Sequence, residues 1–544
     1  MNNIDENFKF QENKSNLKIS FERISFIFFV FFIITAIFLS KTVYLGFKKT
    51  TQTKIIKEKE KYRASIMDRD GNIIAKTVRV TNLGINPSQL IDKEKLLISL
   101  RLIFPEKNFN KEIYGNKFFY VKKKISPEKL EKIKLLGEKS FKEEENIARV
   151  YPNGSLFSHI LGQIDIDNNG VSGIEKSFDY ELTTSNKPLK LTLDTEIQYL
   201  ARQELLKFQD IFNSFGSAAI LMNINNGEIL SMVSLPDFDL NKRKNISDKK
   251  FINRSTKGVY ELGSVFKTFT LAAGFQQGVV GKDTLFENLP KKIKCAGRSI
   301  SEYDMDIPSS LTAEEILIRS GNIGSIKIAQ KVGLENFRKF LEDLDLINKT
   351  QFDIEEVGNP IPFKWGKCKL ATSAYGHGIT TTPLQLAKGY AIIANGGYKI
   401  KPTLIKKELN IKKGEQIISK ENSSKINKIL RKIVTSEQGT ANLANIIGYE
   451  IAGKTGTAQK SIKGKYSKKK VNTFASIFPV SDPKYVLIVL LDEPKLSKTY
   501  VYEYNIDGKK MKIVGTPFNT AGWTSVEVAK NIIEKIGPIL AIKY

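Results

Sequence analysis

The feature that most constrains this chain is residues 24–40, ISFIFFVFFIITAIFLS, a run without a single charge. Its seventeen residues rise about 25 Å as a helix, slightly short of a bilayer's hydrocarbon core. Lys41 can snorkel, and TVYLGF extends the apolar stretch through residue 47. A cleaved signal peptide is the rival reading, but no Ala-x-Ala-like site follows and the run is long for a signal's apolar core. The expectation is an uncleaved anchor over residues 24–47 behind a cytoplasmic tail of residues 1–23. Charge does not fix the orientation. Lys9, Lys14, Lys18 and Arg23 precede the run, whereas Lys41, Lys48, Lys49, Lys54, Lys57, Lys59 and Lys61 follow it; large domains translocate regardless of such counts. No later stretch is comparably apolar, so the remainder of the 544 residues is expected to face water, with length for more than one core.

The formal net charge of +27 is one signature of nucleic-acid or membrane-surface binding. Here the lysines run along the whole chain rather than on one helix or tail, which favours a global bias over a nucleic-acid patch. Two histidines, His159 and His377, exclude most His-rich metal sites and make a Ser-His-Asp triad a thin bet. Any catalytic base is therefore expected not to be histidine. Cys295 and Cys368 form no metal or redox motif and are either free thiols or one disulfide.

Past the anchor, RASIMDRDGNIIA (63–75) reads as a hairpin turning at Asp70-Gly71. Short strands then alternate with charged helical stretches such as SPEKLEKIKLLGEKSF (126–141), until the polar TTSNKPLK (183–190) marks a boundary. This gives a mixed pedestal with its linker over 48–190 and a second domain over 191–544. In the second domain, LDTEIQYLARQELLKFQ (193–209) starts a helix at Asp194/Thr195, and SAAILMNINNGEILSMVSL (217–235) forms two strands about Asn226-Gly227. GYEIAGKTGTAQK, NTFASIFPV and KYVLIVLLDEP read as further strands, and TSVEVAKNIIEKIGPIL as a closing helix. The fold class is α+β: an antiparallel sheet flanked by helices.

Three short motifs carry possible chemistry. GVYELGSVFKTFTLAAG (258–274) places Ser264 and Lys267 one turn apart at the front of a helix. The spacing alone says little, because Ser-x-x-Lys recurs at Ser15/Lys18, Ser126/Lys129, Ser247/Lys250, Ser467/Lys470 and Ser481/Lys484. Ser320-Gly321-Asn322 sits where one helix ends and another begins; by itself it is an ordinary polar turn. Lys454-Thr455-Gly456-Thr457 lies on a strand, where glycine admits a ligand close to the backbone and lysine with two hydroxyls suits a carboxylate. Alone it reads more readily as an edge strand guarded by lysine. Their joint occurrence, in this order and each in a fitting element, is the signal.

The three motifs together resemble those of the penicillin-binding proteins, the serine D,D-transpeptidase and β-lactamase superfamily. RASIMDRDGNIIA, GVSGIEKSFDYEL (170–182) and TTPLQLAKGYAIIANGG (381–397) are similar to segments of the class B members, and no glycosyltransferase domain is present as in class A. The resemblance implies a membrane-anchored pedestal bearing a transpeptidase domain, with no cofactor and no metal. In it Ser264 is the nucleophile and Lys267 its base, Ser320 relays a proton, Asn322 orients Lys267 and the substrate amide, and Lys454, Thr455 and Thr457 hold a carboxylate beside Gly456. Backbone N–H groups of Ser264 and Thr457 form the oxyanion hole. For Lys267 to act, its pKa must fall from about 10.4, and burial and the Lys454 cation are both expected to lower it.

Partners implied are peptidoglycan stem peptides ending in D-Ala-D-Ala, β-lactams, a glycan polymerase and other division membrane proteins, and no nucleic acid. The implied location is the inner membrane, N-terminus cytoplasmic and catalytic domain periplasmic. GITTTPLQLA, IAGKTGTAQK and the asparagine of Ser320-Gly321-Asn322 look more like septal than elongation enzymes. The alternatives are a penicillin-binding sensor or scaffold, or a carboxypeptidase or β-lactamase-type hydrolase; the latter lacks a Glu-x-x-Leu-Asn segment here. His377 is expected to be structural or substrate-shaping. GWTSVEVAKNI departs from the small-Pro-Val pattern before the last helix and leaves that helix's start open.

Overall fold

The structure, a computed structural model, describes residues 14–47, 62–242, 248–295, 297–407, 414–462, 464–506 and 509–544. Most of the expected tail and the first residues of the expected pedestal, 1–13 and 48–61, lie outside the described residues. The chain divides into two units, residues 1–61 and 62–544.

In the first unit, Lys14–Phe47 is one helix. Phe21–Gly46 is its apolar part, 26 residues with every described side chain exposed. At 1.5 Å per residue that part rises about 39 Å, enough to cross a bilayer with tilt. By length and composition this helix is apolar enough to cross a membrane, which suggests a single-pass anchor.

The second unit begins with the expected hairpin. Ile66–Met67 pairs with Ile73 and Ala75, and the Asp68 carboxylate accepts from the backbone N–H groups of Asp70 (3.0 Å) and Asn72 (2.8 Å) to close the turn. The long strand Ile73–Ile85 then pairs with both Phe141–Val150 and Phe119–Ile125. Helices Lys93–Ile103 and Pro127–Lys134 complete a lobe with its own core of Leu83, Ile85, Leu100, Phe104, Val121 and Ile133. The lobe's root differs: Ile66, Tyr151, Phe157 and Ile174 belong to one continuous core with the C-terminal part. Leu189–Lys190 ties the polar segment back by pairing in parallel with Ile66–Met67.

Buried at the root is an ion cluster. Glu175 accepts from Arg63 Nε at 2.9 Å and from Arg149 Nε at 2.8 Å, and Asp179 accepts from Arg63 Nη1 at 2.5 Å. Burying such charges is costly, and the network holds because both Glu175 oxygens and the Nε group of each guanidinium are paired.

The C-terminal part is built on a five-stranded antiparallel sheet in the order Ala452–Ile462, Lys465–Phe478, Tyr485–Asp492, Gly216–Asn223, Ile229–Leu235. Every residue of Tyr485–Asp492 and Ile229–Leu235 is buried, so both faces are covered, which explains their mainly apolar composition, broken only by Ser231, Ser234 and Asp492. Helices Thr195–Ile211 and Ser525–Lys543 pack together against the sheet. Pro383–Ala394 also lies on it, started by a Thr382/Gln385 capping box with proline at its first position. Lys267–Gln276 is buried from Lys267 to Phe275 and packs against that helix, with Thr268 Oγ1 2.9 Å from the Tyr390 hydroxyl. The last helix starts at Ser525 after a 3-10 turn, Ala521–Trp523. The cysteine question resolves as a disulfide, Cys295–Cys368, with Cα atoms 5.6 Å apart.

Candidate active site

Ser264 lies on a single 3-10 turn, Gly263–Phe266, that feeds the buried helix beginning at Lys267. Glycines let this turn press against the edge strand. A Cβ on Gly456 would come within 2.2 Å of Leu262 O, and one on Gly376 within 2.0 Å of Gly263 O, so neither position admits a side chain without a shift. The missing Cβ at Gly456 thus brings the Ser264 turn alongside Thr457, whose O would lie 3.0 Å from a Cβ on Gly263.

Ser320 enters from a helix end. Helix Ala313–Ile318 closes with the Gly321 N–H donating to Ile316 O at 2.8 Å and the Ser320 N–H to Leu317 O at 3.2 Å. This pairing puts Ser320 at the left-handed position usually held by glycine, with φ +60°. A non-glycine residue there is uncommon and carries strain, and it aims the hydroxyl at both lysines. The next helix, Asn322–Val332, is capped by Glu302, which accepts from the Asn322 N–H at 2.6 Å and the Ile323 N–H at 2.8 Å.

The side chains converge on two amines. Lys267, 1% exposed, donates from Nζ to Asn322 Oδ1 (2.7 Å), to Ser320 Oγ (3.2 Å) and to Ser320 O. Lys454, fully buried, donates from Nζ to the same Ser320 Oγ at 2.9 Å and reaches Thr455 O (3.2 Å) and Thr455 Oγ1 (3.5 Å). Thr455 Oγ1 pairs with Thr440 Oγ1 at 2.7 Å. Thr457 Oγ1 accepts from the Ala521 N–H at 2.9 Å, so its own hydroxyl proton stays free to donate. Ser264 Oγ makes no hydrogen bond among the described residues; free-enzyme catalytic bonds are commonly loose.

Burial pushes Lys267 down from 10.5 to about 7, against the opposing Glu302 carboxylate. Burial, and then the Lys267 cation, hold Lys454 well below its ordinary value. The repulsion between the two amines is mutual, and the Glu302 carboxylate opposes the shift at Lys267. A neutral Lys267 keeps two N–H groups and gains a lone pair, which is what a general base requires.

Several neighbours escaped the sequence reading. Glu302 and Thr440 belong to no motif. Glu261 accepts from the Gly378 N–H and the Tyr466 hydroxyl, both at 3.0 Å, and closes one wall. His377 lies in that wall between the Tyr375 and Tyr466 rings, its centroid 4.7 and 5.9 Å from theirs. Burial and the Lys267 cation push it down to about 4, so it is neutral at pH 7.

Comparison with known proteins agrees with this geometry. Residues 217–512 match the penicillin binding protein transpeptidase domain, more than half of the chain. The chain belongs to the class B penicillin-binding proteins. Residues 58–204 match the penicillin-binding protein dimerisation domain. The probable peptidoglycan D,D-transpeptidase FtsI of Caulobacter vibrioides is 29% identical, over 88% of this chain and 82% of that one. Stage V sporulation protein D of Bacillus subtilis is 30% identical over 80% and 75%. Among solved structures, penicillin binding protein 3 of Mycobacterium tuberculosis in complex with aztreonam shares the fold, with a TM-score of 0.66 at 23% identity, over 88% and 96% of the two chains.

Proposed function

We propose that this chain is a peptidoglycan D,D-transpeptidase that acts through a serine acyl-enzyme. The observation that carries the reading is the Ser320 hydroxyl shared between Lys267 and Lys454, beside the Ser264 turn. Neutral Lys267 takes the Ser264 proton as Oγ attacks the penultimate D-Ala carbonyl of a stem peptide. The backbone N–H groups of Ser264 and Thr457 hold the oxyanion. The proton then passes through Ser320 Oγ to the leaving D-Ala amine, and the acyl group moves to an amine of a neighbouring strand. Lys454, Thr455 and Thr457 hold the donor's terminal carboxylate, with Gly456 giving it access to the strand. Asn322 orients Lys267 and the substrate amide.

The same reading divides the chain into a tail (1–23), an anchor (24–47), a pedestal with linker (48–190) and a transpeptidase domain (191–544). The catalytic domain faces the periplasm, where D-Ala-D-Ala resides. A septal role is supported by the relatives named FtsI and by the amide at Asn322, which both donates and accepts. A septal enzyme of this kind works with a separate glycan polymerase, since neither matched domain is a polymerase.

The test is transfer itself. The full chain in detergent is given a donor peptide ending in D-Ala-D-Ala and a D-amino acid as acceptor. The expected product is the exchanged peptide, abolished by Ser264→Ala. Release of the shortened acid alone, at any acceptor concentration, overturns the transferase in favour of a hydrolase. Protease added to spheroplasts is expected to digest residues beyond the anchor; their protection would overturn the orientation. Depletion is expected to give cells that elongate without dividing, and rounded cells that still form septa would overturn the septal role.

A further inference from the structure

One carboxylate of the cleft wall has an oxygen to spare. Glu261 stands three residues before Ser264, and both residues are half-buried. The two hydrogen bonds that Glu261 accepts, from the Gly378 N–H and the Tyr466 hydroxyl, fall on Oε2. Oε1 has no hydrogen-bond or ion-pair partner among the described residues. Glu302 differs, because the N–H groups of Asn322 and Ile323 take one of its oxygens each. Nor does a lysine neutralise Glu261. Burial lowers the Lys369 amine and Glu261 opposes that, but Lys369 Nζ donates to Gly378 O and lies 3.8 Å over the Phe363 ring without pairing with the carboxylate.

The edge strand Ala452–Ile462 gives the cleft a direction. Lys454 lies near its start, the Ser264 turn packs against Gly456 and Thr457, and Ser461 near its far end pairs with Tyr466. On the transpeptidase reading, on which this inference rests, the donor's terminal carboxylate sits at Lys454 and its reacting carbonyl at the Thr457 N–H. An extended donor laid along the strand then carries its acyl part toward Ser461, where the Tyr466 hydroxyl holds Glu261. Thr457 to Ser461 is about 13 Å of strand, and the Tyr466 and Glu261 side chains reach back over part of it. The open oxygen therefore lies on the acyl side of Ser264, away from the leaving group.

The reaction itself names a cation for that place. The acceptor is an amine borne by a neighbouring stem peptide, so a donor stem of the same repeat carries such an amine too. A side-chain ammonium is a compact charge with three donors, which suits one carboxylate oxygen open to the cleft. We propose that Glu261 is a specificity-determining residue whose Oε1 accepts from the ammonium of the donor residue preceding D-Ala-D-Ala. Stems with that amine free are then better donors than stems whose amine is already acylated.

The test compares two donors on the full chain in detergent: Nα-acetyl-Lys-D-Ala-D-Ala, and the same peptide with its side-chain amine acetylated as well. Exchange of the terminal D-Ala for a labelled D-amino acid gives kcat/KM for each. The parent protein is expected to favour the free amine by about fivefold or more, and the preference to shrink as salt rises from about 0.05 to about 0.5 M. Glu261→Gln keeps an acceptor oxygen for Gly378 and Tyr466 but loses the charge, and is expected to bring the ratio of the two donors below about twofold. Using a ratio cancels any general loss of activity in the variant. Equal use of both donors by the parent, a preference insensitive to salt, or one that survives Glu261→Gln would overturn the role of Glu261 and leave the transferase standing. Exchange with neither donor would remove the transferase reading, and this inference with it.

Discussion

Lowering the pH is expected to switch off acylation through Lys267, and the structure sets the size of the effect. Moving a lysine from 10.5 to about 7 corresponds to about 5 kcal/mol in favour of its neutral form. The cause is burial, and Lys267 is only 1% exposed, so solvent screening does little to reduce it. With a pKa of about 7, the neutral fraction falls about ninetyfold between pH 8 and pH 5. The limb is expected to have unit slope, as titration of a single base requires. The assay is the second-order rate constant for acylation by a fluorescent penicillin, which reports on the free enzyme. Near-ultraviolet circular dichroism at each pH confirms that the fold persists. A rate that changes less than threefold over this range, with the fold intact, would refute Lys267 as the base.

The same burial makes a stability prediction: Lys267 is protonated in the unfolded chain up to about 10.5 but loses its proton in the fold above about 7. Stability is therefore expected to rise with pH from about 7 to about 10.5, and the lowered pKa of Lys454 acts in the same direction. Lys267→Met is expected to flatten that rise by about 1.4 kcal/mol per pH unit, read from denaturant midpoints, and an unchanged slope would count against it. Gly456→Ala puts a Cβ within 2.2 Å of Leu262 O and is expected to cut acylation at least a hundredfold; a rate within threefold of the parent would show the contact to be dispensable. Glu302→Gln leaves one acceptor oxygen for the two N–H groups of Asn322 and Ile323 and is expected to slow acylation about tenfold, and an unchanged rate would remove Glu302 from any positioning role.

The legible parts of this molecule were those with a local cause. The anchor follows from an unbroken apolar run, and the hairpins from Asp70-Gly71 and Asn226-Gly227. Each motif could be placed because helix start, helix end and strand leave different local marks. What stayed hidden depends on chain returning from a distance. Glu302 reaches Asn322 only because the hairpin Lys292–Cys295 and Arg298–Ser301 delivers it there. Thr440 finds Thr455 across a similar gap. The left-handed backbone at Ser320 belongs to a helix-ending motif whose position glycine usually fills, so composition gives no cue. The lowered pKa of Lys267 depends on burial by elements distant in sequence, and pairing of Cys295 with Cys368 depends on a Cα distance.

The central claim is that Ser264 is the acylated nucleophile, and the most direct measurement is the position of a penicilloyl group on the full chain. After incubation with penicillin and proteolysis, mass spectrometry is expected to find one adduct, on Ser264, stable over the time of the experiment and absent from Ser264→Ala. An adduct on Ser320, or labelling that persists in Ser264→Ala, would contradict the account.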